Sequence, residues 1–101
     1  MQRLYDIEYL PIAEDDLNSI IDYILVDDPI NALNLFEKFH DSISKLSMFP
    51  YMGNIPRDPQ LEHMNYRILV VESYLVFYVF VNDIVEIRRI LSGKRKYDYL
   101  F

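Results

Sequence analysis

Residues 66–91 read YRILVVESYLVFYVFVNDIVEIRRIL, and this stretch decides the fold. It divides into three β-rich runs, Tyr66 to Val71, Tyr74 to Val81 and Ile84 to Leu91, separated by Glu72-Ser73 and Asn82-Asp83. Two-residue connections suit tight hairpins, so the runs are expected to form an antiparallel meander. In the middle run Tyr74, Val76, Tyr78 and Phe80 fall on one side and Leu75, Phe77, Val79 and Val81 on the other. Both faces are apolar, and both want cover. A layer of helices can cover one. The other is expected to stand open as a docking surface, in preference to being closed by the long loop or the C-terminal tail.

Upstream, Leu4 to Tyr9 alternates, with Tyr5, Ile7 and Tyr9 on one side, and reads as a half-buried strand that Pro11 ends. From Ala13 the spacing changes to threes and fours through Leu17, Ile20, Ile21 and Ile24, with Glu14, Asp15 and Asp16 in the first turn of a helix, where its dipole favours negative charge. Asp27, Asp28 and Pro29 supply a break, a capping carboxylate and a first-turn proline for a second helix. Its apolar stripe, Ala32, Phe36, Phe39, Ile43 and Leu46, runs to about Met48. So short a connection makes the two helices antiparallel neighbours. Phe49 to about Met64, with Pro50, Gly53, Pro56 and Pro59, reads as an irregular loop longer than usual. The expected fold is α+β in the order β-α-α-β-β-β, a two-helix hairpin on one face of a mostly antiparallel four-stranded sheet, as a single domain over residues 1–101.

The 101 residues are 51% hydrophobic, enough for one core, and contain no cysteine. Neither a charged leader followed by an apolar segment nor a membrane-length apolar run is present, so a cytoplasmic protein without membrane contact is expected. A net charge of −6 argues against nucleic-acid binding by the chain as a whole. The charge is uneven, however. Residues 88–101 carry Arg88, Arg89, Lys94, Arg95 and Lys96 against Asp98 alone.

Only Gly53 and Gly93 occur, which rules out a glycine-rich phosphate loop. His40 and His63 have no metal-ligand spacing, and the serines have no nucleophile signature, so no metal and no cofactor is expected. The chemistry-bearing residues that stand out are Arg57, Arg67, Arg88, Arg89, Lys94, Arg95, Lys96, Tyr97, Tyr99 and Phe101. Cations that hold phosphates and rings that stack on bases suit RNA. The structural alternative is that Arg88 or Arg89 pairs with Glu86 or another acid, and that the tail is a solvated surface.

Tyr9-x-Pro11-x-Ala13-x-x-Asp16-Leu17, Phe49-Pro50-x-x-Gly53, Tyr74-x-x-x-Tyr78 and Gly93-Lys94-Arg95 occur in that order. With the element order, they make the chain resemble the RelE/ParE superfamily of bacterial toxins over nearly its whole length. The resemblance implies the toxin of a type II toxin-antitoxin pair, neutralised by an antitoxin that wraps it, with Leu75, Phe77 and Val79 as antitoxin contacts. A toxin dimer or a toxin-antitoxin heterotetramer are the assemblies it implies.

Two mechanisms stay open. RelE-like members cut messenger RNA on the ribosome without a metal, which would make Arg67 and Arg95 the catalytic pair. ParE-like members bind DNA gyrase and cut nothing. In either case Lys94, Lys96, Arg88, Arg89, Tyr97, Tyr99 and Phe101 would contact the RNA or the protein target. Leu75 stands where RelE-like enzymes carry an arginine, and Phe101 has no hydroxyl to move a proton. Both departures tilt the reading toward the gyrase-directed inhibitor, and a third reading is a decayed toxin that still binds an antitoxin and harms nothing.

Overall fold

Prolines set the helix starts. In the computed structural model, which describes residues 3–93, helices α1 (Pro11–Leu25), α2 (Pro29–Ser44) and α3 (Pro59–His63) each carry proline in the first turn. There its missing N–H forfeits no intrahelical bond. Asp28 caps α2 by accepting from the Asn31 N–H at 3.1 Å, and Asp58 caps α3 by accepting from the Gln60 N–H at 2.8 Å. Pro11 therefore does more than end a strand: it opens α1, two residues before the expected start.

The long second helix is two pieces, because α2 stops at Ser44 and Lys45–Ser47 tighten into a 3-10 turn. Its buried stripe runs through Ala32, Leu35, Phe39 and Ile43, while Phe36 is 45% exposed. Leu35, not Phe36, faces inward. α3 lies inside the segment expected to be irregular throughout.

Strand β1 (Asp6–Tyr9) and the meander β2 (Arg67–Val71), β3 (Tyr74–Val81) and β4 (Ile84–Ser92) form one sheet in the order β1-β4-β3-β2. The meander pairs are antiparallel, but β1 joins β4 in parallel, so the sheet is mixed. Asn82 and Asp83 both take positive φ, 54° and 62°, the primed turn that follows strand twist into a two-residue hairpin. A register shift between Phe77 and Tyr78 sets Arg89 opposite Phe77 and Ile87 opposite Tyr78, leaving Arg88 as the extra residue of a bulge.

One sheet face is buried under the helices, with Phe39, Ile43 and Leu46 packed with Val76, Tyr78 and Ile87. The opposite face is not the open surface that the alternation on β3 suggested. Phe77 and Val79, at 0% and 4% exposure, form a second cluster with Leu61, Tyr66, Ile68 and Leu91. Leu61 comes from α3, so the long connection itself supplies the cover. Of the three residues assigned to antitoxin contact, Leu75 keeps part of its side chain at the surface, Val79 is 4% exposed at the wall of a cleft, and Phe77 is fully buried.

Candidate functional site

The Tyr78 side chain is fully buried, and its hydroxyl is committed twice. It donates to the Pro50 carbonyl at 2.8 Å and accepts from the Gly53 N–H at 2.9 Å. Burial pushes its pKa above the ordinary tyrosine value, against the opposing pull of the Gly53 N–H and the nearby Arg67 charge. A Cβ on Gly53 would lie 2.7 Å from both Cε1 and Oη of Tyr78, so the approach admits only glycine. The Phe49-Pro50-x-x-Gly53 and Tyr74-x-x-x-Tyr78 signatures are thus two halves of one contact: a loop closed around a buried phenol.

Arg67 binds the same loop from outside. Its Nη1 donates to the carbonyls of Tyr51 at 3.0 Å and Gly53 at 3.1 Å, and its guanidinium sits 5.1 Å from the centre of the Tyr51 ring. The Tyr51 ring in turn meets Phe80 edge-on at 5.3 Å. Beside these groups opens a cleft of about 470 Å³, whose walls include Ile55, Met64, Tyr66, Arg67 and Arg88.

Arg88 and Arg89 part company at the bulge. Arg88 turns into the cleft, donates from Nε to Glu86 at 2.8 Å and from Nη1 to the Tyr66 hydroxyl at 3.4 Å. The bond to Tyr66, followed by the Glu86 carboxylate, raises its pKa. Arg89 goes to α1 instead, where Asp16 accepts from its Nε at 2.8 Å and its Nη2 at 3.0 Å. Asp16 also takes the Ile90 N–H at 2.9 Å. Each arginine therefore has a carboxylate, and Asp16, read as a helix-dipole charge, proves to be the tie between α1 and β4.

Of the residues singled out in the sequence, the structure brings Arg67 and Arg88 to one cleft and sends Arg89 elsewhere. Leu75 lies at the far end of β3, beside Gly93. Lys94, Arg95, Lys96, Tyr97, Tyr99 and Phe101 lie outside the described residues. Tyr51, which orients Arg67, carried no sequence signal. Tyr78 did, through its motif, though without the reason.

Among solved structures this fold is a known one. A chain of the chromosomal ParDE toxin-antitoxin system from P. aeruginosa is similar to it with a TM-score of 0.73, over 88% of this chain and 96% of that one, at 19% identity. The class is therefore a helical hairpin on a ParE-like sheet. The sequence profile described as ParE toxin of type II toxin-antitoxin system, parDE, matches residues 7–97. This chain belongs to the ParE toxin family, and that membership implies a cognate antitoxin as its partner. No curated protein sequence matches it.

Proposed function

We propose that this toxin arrests growth in the cytoplasm by binding DNA gyrase, not by cutting RNA, and that its antitoxin relieves the arrest by covering it within a toxin-antitoxin heterotetramer. The observation that carries the reading is the employment of the arginines. Arg88 is neutralised by Glu86 and Arg89 by Asp16, which leaves Arg67, fixed through Nη1 on two loop carbonyls, as the one arginine of the three without a carboxylate among the described residues. One guanidinium can bind an anion, but a ribonuclease needs several cations converging on a scissile phosphate and a group free to move a proton. The Tyr78 phenol, the buried hydroxyl nearest Arg67 in the register, is locked between Pro50 and Gly53. Leu75 adds an aliphatic side chain where RelE-like enzymes place an arginine.

The test is induction of the toxin with and without the neighbouring reading frame, reading DNA supercoiling and translation within minutes. Loss of supercoiling or broken DNA with translation intact is the expected result, reproduced by purified toxin on purified gyrase. Codon-phased cuts in messenger RNA, with supercoiling unchanged, would overturn it. Size measurement of the purified toxin with its antitoxin checks the heterotetramer.

A further inference from the structure

β3 outruns its neighbour. β2 begins at Arg67, opposite Tyr78, whereas β3 continues through Val79, Phe80 and Val81, paired there, among the described residues, only with β4. The cause is Asn65, whose φ of 64° turns the incoming chain away from the sheet at the point where it would have lain beside Phe80. The direction of the vacant peptide groups follows from the ladder. Ile68 spends its N–H and C=O outward on Asn54, at 2.9 and 2.8 Å. In an antiparallel pair, bonding residues alternate, so Arg67, Leu69 and Val71 are the β2 residues bonded to Tyr78, Val76 and Tyr74 of β3, respectively. Phe80 continues the row that faces β2, and its N–H and C=O open onto the cleft with no strand opposite them among the described residues.

Arg67 stands at the mouth of this notch. Its Nη1 is occupied, but Nε and Nη2 have no partner among the described residues, and it makes no ion pair there. Ile55 and Met64, 58% and 41% exposed, supply apolar walls. A free strand edge, an unneutralised guanidinium held in fixed orientation and apolar walls together match a peptide rather than a nucleic acid. Glu62 also lines the cleft, the Tyr51 ring is already engaged by Arg67 and Phe80, and the chain carries −6 overall. Those features disfavour a polyanion that needs a stacking platform.

We infer that the notch receives an extended segment of a protein partner as a short added strand on Phe80, with a carboxylate of that segment on Arg67 and a neighbouring apolar side chain between Ile55 and Met64. The inference rests on the reading that this toxin works through protein contacts, and it names the chemistry of the contact.

The test uses the full chain, isotope-labelled, titrated to millimolar concentrations with the capped peptide Thr-Leu-Glu-Leu-Thr. The Phe80 amide and Arg67 Nε signals are expected to move saturably. Replacing the peptide's glutamate by glutamine should weaken binding by about tenfold, and N-methylating its backbone should abolish it. Arg67→Gln should remove the preference for glutamate. Should that variant loosen the loop, Ile55→Asp, at an exposed wall, places a repelling charge in the notch without touching the core and should weaken the acidic peptide more than the neutral one. No movement of Phe80 would overturn the inference. So would stronger binding of AMP or inorganic phosphate at Arg67, or Phe80 shifts that depend on the concentration of the chain alone, which would make a second copy the occupant. Gyrase is absent from this experiment, so its outcome is separate from that of the supercoiling assay.

Discussion

Tyr78→Phe removes a single oxygen, and the structure gives the size of its effect. The hydroxyl satisfies the Pro50 carbonyl and the Gly53 N–H, at 2.8 and 2.9 Å, in a site closed to solvent. A buried polar group left without its partner costs about 1–3 kcal/mol, so losing both bonds costs about 2–5 kcal/mol. The loop cannot easily turn those groups to water, because Arg67 holds the Tyr51 and Gly53 carbonyls from the other side. Against a total stability of about 5–15 kcal/mol for a domain, that is a large share. In urea, with a slope of about 1–3 kcal/mol/M, the midpoint should fall by about 1–2 M at constant slope. Stability against pH gives a second reading. Burial raises the Tyr78 pKa, so the folded state keeps its proton after the unfolded chain has lost it. The associated stability is intact below a pH of about 10 and is lost as pH rises through the folded value. Tyr78→Phe should therefore show a shallower alkaline decline than the unaltered chain, the residue of the slope coming from Tyr9, which burial and then Glu14 also raise. A midpoint that moves by less than about 0.5 M would refute the reasoning, because the loop would then be held by something other than this phenol.

Gly53→Ala should destabilise by about 1–3 kcal/mol, and the cost should shrink in the Tyr78→Phe background, where the Oη contact at 2.7 Å is gone; denaturation of the four proteins of that cycle measures the coupling. Asp16→Ala strips the carboxylate from Arg89 and the Ile90 N–H, in a pair whose side chains are 17% and 14% exposed. A loss of about 2–4 kcal/mol is expected, lessened by residual solvent, with most of it shared with Arg89→Ala in a double-mutant cycle. Asp83→Gly should stabilise by about 0.5–1 kcal/mol, since glycine takes the positive φ of 62° without strain. The exposed Arg3–Asp83 pair that it removes contributes little to offset the gain, and thermal unfolding reads the balance.

Periodicity and turn chemistry made most of the fold legible. The meander, both two-residue turns, the Asp28-Pro29 start and the helical hairpin all announce themselves locally. α3 did not, although Asp58-Pro59 repeats the Asp28-Pro29 signal, because five residues are too few to show a helical period. Its invisibility had a consequence for the site: without Leu61 in view, the second face of β3 read as bare. The parallel pairing of β1 with β4 joins distant segments and leaves no local trace. The bulge at Arg88 is likewise a property of register, yet it decides which arginine enters the cleft. Arg67 was visible as a cation on a strand, whereas the carbonyls that orient it come from a loop whose path only the fold defines.

The placement of β1 also bears on how the toxin comes into being. Asp6 lies opposite Ile84, and Asp16 waits for Arg89, so the first strand finds its sheet partner, and the first helix its ion pair, only in the last strand of the sheet. Contacts spanning so much chain close late, after the entropy of the intervening loop has been overcome. During synthesis both long helices leave the ribosome before β2, β3 and β4, which supply most of the sheet beneath them, exist. A nascent toxin is thus an unfinished and proteolytically vulnerable chain until its final strand emerges, and a product terminated before Ile84 lacks the strand that β1 and Asp16 require.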